Sequence, residues 1–140
     1  MVSQTAEYAL RTIIWLASSD DVPLTTQQIA EATRVPPGYL AKILQSLGRA
    51  GLVKSQRGIK GGFVLVGDPH SLTPWDVVKV IDPVRRIEHC PLGLENHRSV
   101  LCPLHRKLDA AMAQIETALA GVTIADLVEE AGGEPPFCGS

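Results

Sequence analysis

The sequence has no apolar run near the roughly 20 residues that a bilayer-spanning helix needs, and its start, MVSQTAEYAL, has no signal-peptide pattern. No membrane role is expected, and a cytoplasmic location is. Cysteine is scarce: three in 140 residues, an odd number without a secretory signal, which argues against a disulfide scaffold. Internal repeats and low-complexity segments are also missing, which excludes solenoids and compositional tails. What remains is the make-up of a globular chain, 45% hydrophobic and 20% charged, long enough for one or two small cores.

Charge is unevenly placed. Within residues 24–66, Arg34, Lys42, Arg49, Lys54, Arg57 and Lys60 stand against one acid, Glu31, a local balance of +5 in a chain of net −2. Local positive potential of this kind neutralises phosphates. The same stretch reads as a helix running into a short glycine-rich hairpin. Pro36 and Pro37 suit the first turn of a helix, where no amide is lost. Tyr39, Leu40, Ile43, Leu44 and Leu47 then recur at three- and four-residue steps, and Gly48 and Gly51 end the run. Two β-prone runs, Leu52-Val53 and Phe63 to Val66, are joined by residues 55–62. A helix followed by a two-stranded wing reads DNA: the helix fits the major groove and the hairpin tip reaches phosphate or minor groove.

Before it, residues 3–17 place Ala6, Ala9, Leu10, Ile13, Ile14 and Ala17 at helical spacing, and Glu7 lies four residues before Arg11, where the two can pair. Residues 20–24 read as a polar loop. Thr25 and Gln28 have the spacing of a capping box that opens a short helix, and residues 33–36 form the turn of a helix-turn-helix. After a linker, Thr73-Pro74-Trp75-Asp76 starts another helix, which Asp82-Pro83 stops; Trp75 reads as a core or docking residue. A loop rich in sulfur and imidazole, EHCPLGLENHRSVLCPLH, follows at residues 88–105. It leads into a long helix whose Leu104, Leu108, Ala111, Ile115, Ala118 and Val122 make a seam for another helix. Thr123 and Asp126 open a short closing helix.

The expected fold is mainly α with a small β-wing. It divides into a winged helix-turn-helix DNA-binding domain (1–66), a connecting helix and Cys/His sensor loop (67–102), a dimerisation helix with the closing helix (103–131), and a flexible tail (132–140). A homodimer is expected, because two half-sites one DNA turn apart need two recognition helices.

The motifs TAEYALRTIIWLA, YLAKILQSLGRAGLVKSQRGIKGGFVL, TPWDVVKVID and TIADLVEE, with the cysteine loop between the last two, resemble the Rrf-type (IscR/NsrR-like) family of bacterial winged-helix transcription regulators. The resemblance covers about residues 1–130. It implies a homodimeric regulator of a double-stranded DNA operator, often carrying an iron–sulfur cluster, [2Fe–2S] ahead of [4Fe–4S], in the loop before the dimer helix. It implies that Arg57 reaches the minor groove and that Gly58, Gly61 and Gly62 are wing glycines, which the tight tip explains by conformational freedom. Ala41 stands where some relatives carry a polar base-reading residue, so Lys42 and Gln45 are the polar candidates on the helix, with Lys60 on the wing. Tyr39 bonds a phosphate through its hydroxyl or is a core tyrosine with a satisfied tip.

For the cluster, the resemblance implies Cys90, Cys102 and His105 as ligands, with Asn96 in place of the middle cysteine. Glu7, donated by the partner subunit, ranks first for the remaining position, ahead of His97 and Cys138, and His89 reads as a solvated loop histidine. Structural zinc does not fit, because eleven residues separate Cys90 from Cys102. The alternative needs no cofactor: Cys90 and Cys102 form a reversible disulfide under oxidant. A thiol–imidazole enzyme built on Cys102 and His105 lacks an orienting carboxylate at any readable spacing, so no enzyme is expected.

Overall fold

The computed structural model describes residues 2–88, 92 and 101–132. Its core is laid on α1 (Gln4–Ala17), which starts where Ser3 Oγ accepts from the Ala6 amide at 3.1 Å. Ala6, Ala9, Ile13, Ile14 and Leu16 are buried, as the spacing requires, while Leu10 and Ala17 are half-buried. Thr12 is buried among them and keeps its hydroxyl satisfied by donating to the Tyr8 carbonyl at 2.9 Å.

Against α1 pack α2 (Thr26–Thr33) and α3 (Pro37–Arg49). The expected capping box opens α2: Thr25 Oγ1 accepts from the Gln28 amide, and Gln28 Oε1 accepts from the Thr25 amide. The helix ends in the left-handed conformation at Arg34, φ 59° and ψ 25°, which turns the chain into α3. Pro37 is the first residue of α3, and Leu40, Ile43, Leu44 and Leu47 form its buried face.

The wing pairs β1 (Val53–Gln56) with β2 (Gly62–Leu65), antiparallel, from Val53↔Leu65 to Gln56↔Gly62. The ladder therefore reaches further than expected, taking in Ser55, Gln56 and Gly62, and the tip shortens to residues 57–61. Leu24, expected in a polar loop, instead exchanges two backbone hydrogen bonds with Phe63, at 3.1 and 2.7 Å, and makes the stub of a third strand.

Capping boxes also open α4 (Pro74–Ile81) and α6 (Ile124–Glu130), at Thr73 with Asp76 and at Thr123 with Asp126. Val77 and Ile124 are fully buried in the same core as Leu40 and Leu47, so α4 and α6 complete the winged-helix core. Trp75 is half-buried. The amides of Ile124 and Ala125 donate to the Leu72 and Pro69 carbonyls at 2.8 and 3.0 Å, fixing α6 to the chain that leaves the wing. Between α4 and α6, α5 (Pro103–Ala120) buries none of its residues and leaves Leu104 63% and Leu108 43% exposed. Among the described residues no single helix is long and apolar enough to cross a membrane. The tail expected at 132–140 lies outside the described residues beyond Gly132.

Candidate nucleic-acid interface and sensor loop

Burying Leu40, Ile43, Leu44 and Leu47 turns the other side of α3 outward, and Ala41, Lys42, Gln45, Ser46 and Arg49 are all exposed there. Tyr39 is 41% exposed, yet its hydroxyl is not free: it hydrogen-bonds Thr5 Oγ1 at 2.5 Å. Its ring meets Tyr8 edge-on, centroids 5.5 Å apart. Tyr39 thus joins α3 to α1 at the surface rather than filling the core. No Asp or Glu occurs from residue 32 to residue 67, so the helix and hairpin carry only positive side-chain charge.

At the hairpin tip the Gly61 amide donates to the Gly58 carbonyl at 3.0 Å, closing a turn with Ile59 and Lys60 at its apex. Gly58 takes φ 117°, which a side chain would strain. Crowding is the reason at Gly61, where a methyl would collide with the Gln56 carbonyl, and it adds to a φ of 157° at Gly62, where a methyl would come within 2.5 Å of the Leu24 backbone. Arg57 and Lys60 are exposed beside Ile59, which is 106% exposed. The sequence reading passed over Ile59; the available signal was a lone apolar residue between two cations in a turn.

Cys102 is the residue before α5 and caps it. Its Sγ accepts from the His105 amide at 3.5 Å and lies 3.1 Å from His105 Nδ1. A helix N-cap and the residue three later face one another, so these two candidates meet for a local reason. Cys90, His89, Asn96, His97 and Cys138 lie outside the described residues. Glu7 is engaged elsewhere: Arg11 Nε donates to its Oε1 at 2.8 Å, and Arg11 Nη1 donates to the Thr33 carbonyl at 3.1 Å. The second of these bonds links α1 to the end of α2, and the Arg11 guanidinium also lies 5.2 Å from the Tyr8 ring centroid. Among the described residues no three His, Cys, Asp or Glu side chains gather as a metal site, so Glu7 does not join Cys102 and His105 within one protomer.

The chain entering the loop is held to α5 by Asp109, a contact absent from the sequence reading. Its carboxylate accepts from Arg86 Nε and Nη2, both at 2.7 Å, and from the Ile87 amide at 2.8 Å. The Arg86 hydrogen bonds, and then the Ile87 amide, hold the Asp109 carboxyl down at about 2.

A family model described as Rrf2, iron-dependent transcriptional regulator, matches residues 2–130. A protein of Aquifex aeolicus (strain VF5), named provisionally as an HTH-type transcriptional regulator, is 31% identical over 129 residues, 90% of each chain. Among solved structures, CymR (YrzC), the global cysteine regulator of B. subtilis, is 29% identical, with TM-score 0.75 over 93% of this chain and 97% of its own. IscR of T. potens is 25% identical, with TM-score 0.75 over 94% and 88%. The oxidized form of Staphylococcus aureus CymR is 25% identical, with TM-score 0.69 over 92% and 96%. A winged helix whose added helices fold back onto α1, matched by the family model over nearly its whole length, belongs to the Rrf2 family of transcriptional regulators.

Proposed function

We propose that the protein is a homodimer that grips a double-stranded operator through α3 and the wing, and that the state of the loop at residues 90–105 sets how tightly it binds. The observation that carries this reading is the acid-free surface of α3 and hairpin, where Lys42, Gln45, Arg49, Arg57 and Lys60 are all exposed. With α3 in the major groove, Lys42 and Gln45 lie on the helix face left open for base edges, and Gly58 and Gly61 shape the tip that carries Arg57 to the minor groove. Tyr39 acts there through its position, since its hydroxyl is held by Thr5. The row Leu104, Leu108, Ala111, Ile115 and Ala118 on α5 supports the dimer: a second copy covers it as two helices pack along a seam. Sedimentation should give the mass of two chains.

For the cofactor, a cysteine sulfur and an imidazole nitrogen 3.1 Å apart are donors suited to an iron–sulfur cluster of mixed ligation. Cys102 and His105 would hold it, Cys90 would add the second thiolate, and the partner subunit's Glu7 would take the remaining position. A bound [2Fe–2S] cluster would supply one-electron chemistry and sensitivity to oxidants. The chain's own part is mechanical. Cys102 Sγ caps α5, so a new bond that moves that sulfur stretches its hydrogen bond from the His105 amide and disturbs the first turn of the seam helix. A second reading has a specific support. The Sγ–Nδ1 contact pairs the thiol with an imidazole, which suits a reversible Cys90–Cys102 disulfide, and one solved relative is CymR in an oxidized form.

Two measurements test these readings. Arg57→Ala should weaken binding to duplex from upstream of the protein's own gene and lower the salt dependence by about one counterion. Unchanged affinity and slope would remove Arg57 from the interface. Anaerobically purified protein should show sulfur-to-iron charge-transfer absorption that is lost in Cys102→Ala. Colourless protein that gains one disulfide with peroxide would select the thiol switch instead.

A further inference from the structure

Ile59 is the large apolar side chain of the hairpin tip, and at 106% exposure none of the described residues covers it. A turn apex suits Gly, Asn, Asp or Ser, and an isoleucine held wholly in water is unfavourable there. The tip nonetheless presents it firmly. The hydrogen bond from the Gly61 amide to the Gly58 carbonyl closes the turn beneath it, and the Gln56 carbonyl packs close against Gly61. Arg57 and Lys60 flank it, and no acid lies between residues 32 and 67.

An apolar side chain set among cations alone matches a surface with an anionic rim and an apolar interior. The minor groove of a duplex is such a surface, with phosphates at its edges, apolar deoxyribose walls within, and base faces that a side chain reaches by opening a step. A lipid surface is matched less well, because interfacial anchors present a face of several apolar side chains, and this tip has one. We infer that Ile59 is a wedge: it enters the minor groove between phosphates held by Arg57 and Lys60, presses on a base step, and bends the bound duplex. The inference rests on the proposed grip of α3 and the wing on DNA. It adds an apolar contact to what was a purely electrostatic role for the tip.

The test uses the full-length protein with a duplex from upstream of its own gene, end-labelled so that energy transfer reads the bend. Ile59→Ser should weaken binding about tenfold, the scale of one lost buried aliphatic side chain, and straighten the duplex. Its salt slope should match wild type, because no phosphate contact is removed, in contrast to Arg57→Ala. Ile59→Leu should restore both affinity and bend. An Ile59→Ser variant that equals wild type in either affinity or bend overturns the wedge and leaves the DNA reading standing. Wild type that ignores every duplex at low ionic strength brings down the DNA reading itself. Loss of binding to phosphatidylserine vesicles in Ile59→Ser, with duplex binding intact, reassigns the tip to a lipid surface and also overturns the wedge.

Discussion

At Gly62 one absent methyl group lets three chain segments meet. Its neighbour Phe63 exchanges hydrogen bonds with Leu24, and the Leu24 backbone then passes so close that a Cβ on Gly62 would overlap it at 2.5 Å. Backbone cannot rotate aside as a side chain can. Gly62→Ala should therefore destabilise the protein by about 1–3 kcal/mol, the usual cost of overpacking. The check is the midpoint of urea unfolding, and an unchanged midpoint would mean that the loop before α2 yields freely. The glycine pattern was legible in the sequence, but only part of the reason for it was. Conformational freedom accounts for Gly58 and in part for Gly62, whose φ is 157°, whereas the crowding at Gly61 and Gly62 comes from atoms of Gln56 and Leu24 that only the folded chain brings near. Arg34 is the converse case. A left-handed residue usually announces itself as glycine or asparagine, and here an arginine takes φ 59°, so only the position of the turn could be read, not its conformation.

Helices were the most readable level because their ends carry local chemistry. The three boxes, Thr25 with Gln28, Thr73 with Asp76 and Thr123 with Asp126, are contained within four residues each, and all three form. Strands depend on partners, so the single bridging residue Leu24, lying between Pro23 and Thr25, gave no periodic signal. The hold on α5 was equally invisible, since Arg86 and Asp109 are 23 residues apart. That hold predicts a pH dependence. Asp109 falls from the ordinary 3.8 to about 2 in the folded protein, so its contribution is fully present above about pH 4 and is lost as pH drops through 2. Wild type and Asp109→Asn should differ in unfolding midpoint at pH 5 and converge as pH falls towards 2. A gap that stays constant with pH would show that the carboxylate charge is not what matters.

On the scale of the whole protein, the sequence division into successive segments and the folded arrangement are different partitions of one chain. Residues 67–88 and 101–132 return to α1 and bury Val77 and Ile124 beside the winged-helix residues, because a short helix-turn-helix leaves one face of α1 uncovered. Cys102 and His105 were legible as a pair from spacing alone, while their relation to Cys90 depends on a stretch outside the described residues. The winding back of the chain has a consequence for how the protein can be made. Arg86 fastens the first part to α5, and Ile124 plugs the second part into the interior, so each side of residues 89–100 keeps its own footing on the other. Peptide continuity across that span should then be dispensable for assembly. Two polypeptides ending and beginning there, produced together with an affinity tag on only one, should emerge from the column as a pair.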